Sequence, residues 1–344
     1  MSNIKISIKY LDVKENIIYA LCDWLPYVFI INLERVDVIE KILCPEQMRI
    51  DGGLFSGIYV EDDNAVLIPA NAKKVWIYNL KKKEWHGIDI SEYINPNTDY
   101  KFVGGQLKNG KAILFGYNYK GILAIDVHSY EIKEILNDDD AMGGLYGITS
   151  VELDGNIYIP MRHREAVICI DTNTSKYRLL SFNNGSLVPN DGITYDGESF
   201  YILKNSGNVF LKANYDFSKI EELKIDDYFN STKNYFEGIE YFSGNIIFWG
   251  STGSEFVYNC QDSQKSVFDM KPILRVKAID SSTVIICKND VIELLDSNMQ
   301  VINKLTVELT DKDIMSCIEN TGYIGNMIVE NNVFGLDLML KLLV

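Results

Sequence analysis

The chain has 344 residues, 47% of them hydrophobic and 12% aromatic, and its 48 acidic against 33 basic residues give a net charge of -15. That apolar content can fill a core, which excludes general disorder, and no run approaches the roughly 18 apolar residues of a membrane helix. The acidic balance repels a phosphate backbone, whose affinity rests on Lys and Arg displacing counterions, so nucleic acid is excluded as a partner.

The opening Met1-Ser2-Asn3-Ile4-Lys5 carries no basic stretch followed by an apolar run, so no export signal is read and a cytoplasmic location is expected. From Ile6 to Leu43 the pattern is strand, turn, strand, turn, strand, turn, strand, with Ile17-Ile18-Tyr19-Ala20 and Val28-Phe29-Ile30-Ile31 as the middle strands. Five clearer copies follow. Each opens on a short signature with a shared glycine, and Gly57, Gly104, Gly147, Gly192 and Gly238 recur at steps of 47, 43, 45 and 46 residues. A turn and a β-branched or aromatic run come next, as in Asn156-Ile157-Tyr158-Ile159 and Asn245-Ile246-Ile247-Phe248. A third run ends in Asp or Asn, as in Leu123-Ala124-Ile125-Asp126, and a fourth closes the unit, as in Lys176-Tyr177-Arg178-Leu179-Leu180. A seventh copy over residues 274–307 lacks the glycine.

Four short strands per unit of about 45 residues is the geometry of a propeller blade. The expectation is therefore an all-β, seven-bladed β-propeller of four-stranded antiparallel blades, with blades near 5–43, 54–90, 101–136, 145–182, 190–225, 236–270 and 274–309. The recurring glycine is assigned to the innermost strand, where backbones crowd round the channel and a side chain would obstruct them. After residue 310 the repeat stops, and residues 311–344 form a tail packing on the propeller. Phe334, Leu336, Leu338, Met339, Leu342 and Leu343 fit a short helix, with strands over 324–330 and 336–343 as the alternative.

The repeat resembles those of β-propellers in general and, more loosely, the kelch type. In the second unit Val75-Trp76-Ile77-Tyr78-Asn79-Leu80-Lys81-Lys82-Lys83-Glu84-Trp85 resembles a kelch third strand, its turn and its terminal tryptophan. The kelch double glycine belongs at the end of the second strand, whereas Gly104-Gly105 falls in the first. The resemblance implies architecture and carries no activity across.

The six cysteines (Cys22, Cys44, Cys169, Cys260, Cys287, Cys317) form no C-x-x-C pair, and with three histidines no zinc spacing can be written, so no metal and no cofactor is expected. Buried thiols in a reducing compartment are the simplest reading. The recurring Asp126, Asp171 and Asp296 are assigned to capping the turns between strands three and four. No G-x-S-x-G elbow, phosphate-binding loop or H-E-x-x-H is present.

Chemistry is expected on the face where loops from strand two to strand three converge with the lead-ins to the innermost strands. The candidate ligand-binding residues there are Trp24, Phe55, Tyr117, Tyr146, Arg162, His163, Asp191 and Glu237. For each lead-in aromatic the competing reading is a plug packed over the channel. Two functions fit: a non-enzymatic recognition scaffold for a protein, peptide or glycan, or a propeller lyase or hydrolase using Arg162, His163 and carboxylates at the channel mouth. In the second, Asp191 and Glu237 would face one another across the ring.

Overall fold

A computed structural model describes residues 3–22, 25–46, 53–137, 146–182, 190–204, 209–225, 236–250, 255–269 and 272–321. Twenty-eight of its strands form seven four-stranded antiparallel sheets, and within each sheet the strands lie side by side in chain order. The innermost strands are Ile8–Lys14, Phe55–Glu61, Phe102–Lys108, Val151–Leu153, Asn190–Tyr195, Gly238–Phe242 and Ile273–Ala278. Adjacent blades meet along these strands, and the first touches the last, closing a β-propeller ring.

Local chemistry explains each meander. Second and third strands such as Lys111–Gly116 and Gly121–Asp126 are buried almost throughout, because a neighbouring blade packs on both of their faces; hence their unbroken apolar runs. Outermost strands such as Tyr177–Ser181 are largely exposed. The tight turns between strands one and two place Asp154 and Gly155, and Ser243 and Gly244, at positive φ, the backbone a two-residue hairpin requires. Asp126, Asp171 and Asp296 each accept two backbone N–H groups at 2.8–2.9 Å in the turn after strand three. Those bonds hold the Asp126 and Asp171 carboxyls below their ordinary pKa.

Four of the shared glycines lie at the start of the innermost strands and Gly147 lies four residues ahead of Val151–Leu153; the crowding is real, though side chains cause most of it. A Cβ on Gly238 would stand 2.2 Å from the Trp249 ring, and one on Gly192 would stand 2.6 Å from the Thr149 hydroxyl. Only at Gly147 is the obstacle under 3 Å a backbone from another blade, the Asp191 carbonyl at 2.6 Å.

An innermost strand has a free edge, whose N–H groups need acceptors from outside its own sheet. The preceding blade supplies many of them. Asp12 accepts from Val60 N at 2.8 Å, Tyr59 Oη from Gly105 N at 3.1 Å, Thr149 Oγ1 from Ile193 N at 2.8 Å, Thr194 Oγ1 from Tyr241 N at 2.9 Å and Glu240 from Ala278 N at 2.9 Å. Between blades three and four, Gln106 Nε2 donates to Ser150 Oγ at 2.8 Å. The seventh step, from Lys277 back to Asp12, is an ion pair at 4.0 Å. All seven blade junctions are thus bridged around the axis.

The junction of blades seven and one is reinforced from outside. Ile8, Leu11 and Phe29 share one apolar cluster with Ile285, Cys287 and Leu294. The N-terminal strand Asn3–Lys5 pairs antiparallel with Glu308–Thr310. A helix, Asp311–Thr321, follows directly, and its Ile314 and Cys317 enter the same cluster. Its start is a reciprocal cap: Asp313 accepts from Thr310 N at 2.8 Å while Asp313 N donates to Thr310 Oγ1 at 3.3 Å. The helix therefore begins about 23 residues before the stretch the apolar spacing selected, and that stretch, 334–343, lies outside the described residues, as do residues 324–330. Among the described residues no helix is long and apolar enough to cross a membrane.

Candidate functional site

Four of the residues expected on the loop-bearing face gather where blades four and five meet. The backbone at Tyr146 bridges Met161, which sets the lead-in to blade four beside the loop that carries Arg162, His163, Arg164 and Glu165. Ile148 N donates to the Asp191 carbonyl at 2.7 Å, which ties this lead-in to the next. Arg162 Nε then stands 2.7 Å from Asp191 Oδ1, with the Asp191 side chain only 1% exposed and that of Arg162 19% exposed. A carboxylate so deeply buried is tenable because a guanidinium sits on it. Glu165 points toward Lys204, the last residue of the second strand of blade five, whose fully buried Nζ stands 3.7 Å from Glu165 Oε1. Burial pushes the Lys204 amine below its ordinary pKa, and the Glu165 and Glu222 carboxylates only partly oppose that.

His163 and Arg164 are exposed on the same loop, above the two charged pairs. The rim is thus an exposed loop tied down by the charged pairs at Arg162 and Glu165. Blade three adds aromatic surface, where half-buried Tyr117 lies 6.3 Å from exposed Tyr100. Below them Lys101 is fully buried, and its Nζ donates to the Thr98 carbonyl at 2.7 Å. Asn71 fastens this corner, donating to Gly53 O at 2.8 Å and accepting from Tyr100 N at 2.9 Å.

Of the sequence-predicted residues, Tyr146, Arg162, His163 and Asp191 are brought together at this one junction. Phe55 is buried in the cluster shared by blades one and two, and Tyr146 is buried beside Phe115 at 6.5 Å, so both present core surface. Glu237 is half-buried on blade six, its N–H donating to the Trp249 carbonyl at 2.8 Å. It belongs to the blade next to that of Asp191 rather than facing it across the ring, and the Asp191 carboxylate is engaged by Arg162. Trp24 lies outside the described residues, with Asn205 and the loop 251–254.

Sequence reasoning passed over Lys101, Lys204, Lys288 and Arg275. Two of these had a readable signal. Lys204 and Lys288 each terminate an apolar second strand, Ser199–Lys204 and Thr283–Lys288, so an alignment of repeats would set both at one structural position. There Lys288 donates to Glu293 at 2.6 Å, and Lys304 reaches the other oxygen of that carboxylate at 2.6 Å. Burial alone would raise the Glu293 carboxyl, but the two ammonium groups together hold it below its ordinary pKa. Among the described residues no group of three or more His, Cys, Asp or Glu is placed to hold a metal ion.

No family model matches the chain, and no curated protein matches it. Solved structures do. The chain is similar to selenomethionine-substituted virginiamycin B lyase from Staphylococcus aureus, with 16% identity, a TM-score of 0.60, and 89% of this chain and 98% of that one covered. A catalytically inactive histidine-to-alanine form of that lyase, solved with quinupristin, matches with 14% identity and a TM-score of 0.63 over 89% of this chain and 97% of that one. A computationally designed protein, Ika8, matches with 9% identity and a TM-score of 0.60 over 88% of each chain. At these identities the likeness is one of fold.

Proposed function

We propose that this seven-bladed propeller is a recognition scaffold that binds a protein, peptide or glycan on its loop face, at the rim of blades three to five. The observation that carries the reading is the pairing of Arg162 with buried Asp191 beneath the exposed His163 and Arg164. A buried ion pair fixes the loop before any ligand arrives, so less conformational freedom is lost on binding. The exposed part of the loop then offers cationic and imidazole donors, and Tyr100 and Tyr117 offer flat aromatic surface of the sort that stacks on sugars and side chains. The kelch-like outline of blade two, in which Trp85 packs on Tyr78 at 4.7 Å, is in keeping with an interaction role. A reducing, cytoplasmic setting agrees with six free cysteines, five of them buried.

Probing peptide and glycan arrays with the wild type and with a His163→Ala/Arg164→Ala double variant tests this reading. Both side chains are exposed, so the fold should be unaffected. The best ligand should bind the variant at least tenfold more weakly; equal binding would remove the rim from consideration.

The enzymatic alternative rests on a different observation. His163 is the one histidine of three on the loop face, for His86 lies in an outermost strand and His128 in a turn after a third strand. A lyase or hydrolase acting through His163 would turn over a member of the same panel, and His163→Ala would abolish that turnover.

A further inference from the structure

In the first strands of blades two, three and five, a register shift is followed at once by the shared glycine: Phe55 then Gly57, Phe102 then Gly104, Asn190 then Gly192. Blade seven has the same shift between Ile273 and Arg275, with Arg275 opposite Cys287, the next-to-last residue of the second strand. Gly57, Gly104 and Gly192 pair with Ile68, Phe115 and Leu203, each likewise next to last. Arg275 therefore occupies the position held by glycine in blades two, three and five and by Tyr10, opposite Leu21, in blade one. The glycine site is one where blades converge: a Cβ on Gly104 would meet Tyr59 of blade two and Ile148 of blade four. An arginine there delivers a guanidinium close to the axis.

The surroundings of this arginine are distinctive. Its guanidinium carbon lies 5.3 Å from the centre of the Trp249 ring, in cation–π range. Trp249 is itself 1% exposed, and its ring fills the space that the absent side chain of Gly238 leaves. Among the described residues, neither Arg275 Nε nor Trp249 Nε1 has a hydrogen-bond acceptor, although both atoms are buried. Two orphaned donors on neighbouring groups are unusual in a native fold, where buried N–H groups find partners. The carboxylates nearby are already engaged: Glu240 accepts from Ala278 N, and Asp12 accepts from Val13 N and Val60 N and pairs with Lys277. The charge of Arg275 acts on Glu240 and Cys287 and, in blade two, on Tyr59. Arg275 as a whole is half-buried.

We propose that Arg275, seated on Trp249, is the anchor of an oxyanion site at the upper end of the channel. The site would take a carboxylate, sulfate or phosphate group, whose oxygens match the planar fork of a guanidinium. It lies on blades six and seven and does not depend on the rim described above. A ligand bound across the mouth would be able to place an acidic group into it.

The test uses free ions, so it stands whether or not a macromolecular ligand is known. The full chain is titrated with sodium sulfate, phosphate and acetate at constant ionic strength set by sodium chloride, with thermal melting and tryptophan fluorescence as readouts. The wild type should respond saturably to at least one oxyanion, and Arg275→Gln should weaken that response at least tenfold. The His163→Ala/Arg164→Ala variant should respond like the wild type, which separates this site from the rim. Preference for sulfate and phosphate would identify a tetrahedral ligand group, and preference for acetate a carboxylate. A wild type with no saturable response, or an Arg275→Gln protein that responds equally, would overturn the proposal. Should Arg275→Gln fail to fold, Arg275→Lys keeps the charge and loses the fork. It should bind at least fivefold more weakly, and equal affinity would overturn the proposal in the same way.

Discussion

Lys204 and Lys288 end the second strands of blades five and seven, each as the polar terminus of an apolar run, and each is buried, at 0% and 9% exposure. Their electrostatics are opposite. Lys288 and Lys304 clasp Glu293 from both sides at 2.6 Å, whereas Lys204 has a single carboxylate at 3.7 Å and no hydrogen bond to its Nζ among the described residues. The difference follows from where the partner sits in the chain. Glu293 lies on the third strand of the same blade as Lys288, within the same hairpin, so its approach is fixed by strand register. Glu165 belongs to a loop of the preceding blade, and its distance depends on how two blades dock. At these two sites the pair inside a blade is set by strand register, while the pair between blades takes its distance from the docking.

The sharpest way to break this comparison is to delete the well-placed partner. Glu293→Ala leaves Lys288 buried without its carboxylate, and removing one member of a buried pair costs about 3–5 kcal/mol. Urea denaturation should report a loss in that range with an unchanged slope. A loss below about 1 kcal/mol, the range of surface pairs, would mean that Lys288 escapes to solvent and that the clasp contributes little.

The same logic gives the opposite sign in blade five. Lys204→Met removes an ammonium that makes no hydrogen bond and keeps a chain of similar length in an apolar site. The change relieves a desolvation cost, worth about 1–3 kcal/mol for a buried unsatisfied group, against a weak attraction to partly solvated Glu165. The variant should be about 1 kcal/mol more stable in urea than the wild type. A destabilised Lys204→Met would show that Glu165 closes on the amine in solution.

Much of the fold was legible because a blade is a local object. Connections of two to five residues join its strands, so the four-strand period, the seven copies and the turn-capping Asp126 and Asp171 are all set by near neighbours in sequence. The site was legible only in outline. The sequence placed Arg162 and Asp191 on one face, but that they pair depends on the docking of blades four and five. Phe55 and Tyr146 carried the same aromatic signal as exposed recognition residues, and burial is what separates them from Tyr100 and Tyr117. Arg275 carried no signal of its own, and its place required the register that sets it level with Gly57 and Gly104. The helix at Asp311–Thr321 was overlooked because its cap at Thr310 and short apolar face at Ile314 and Cys317 are weaker signals than the longer apolar run downstream.

The smallest expected effect is also the most diagnostic, because the two lysine sites should answer pH from opposite ends of the scale. Glu293 has a folded pKa below its unfolded value, so its stabilisation is complete above the unfolded carboxyl pKa of about 4.3 and is lost as pH falls through the lower folded value. The gap between the wild type and Glu293→Gln should therefore be constant near neutrality and close on acidification. Lys204 has a folded pKa below its unfolded value of about 10.4, and for a base that means the native state carries the charge unwillingly. Its penalty is full below the folded pKa and disappears as pH climbs toward the unfolded one. The advantage of Lys204→Met should consequently shrink on the alkaline side and be untouched by acid. If both gaps moved on the same side of neutrality, the assignment of one lysine as clasped and the other as merely enclosed would be wrong, because only opposite shifts of a carboxyl and an amine at these two sites separate the limbs.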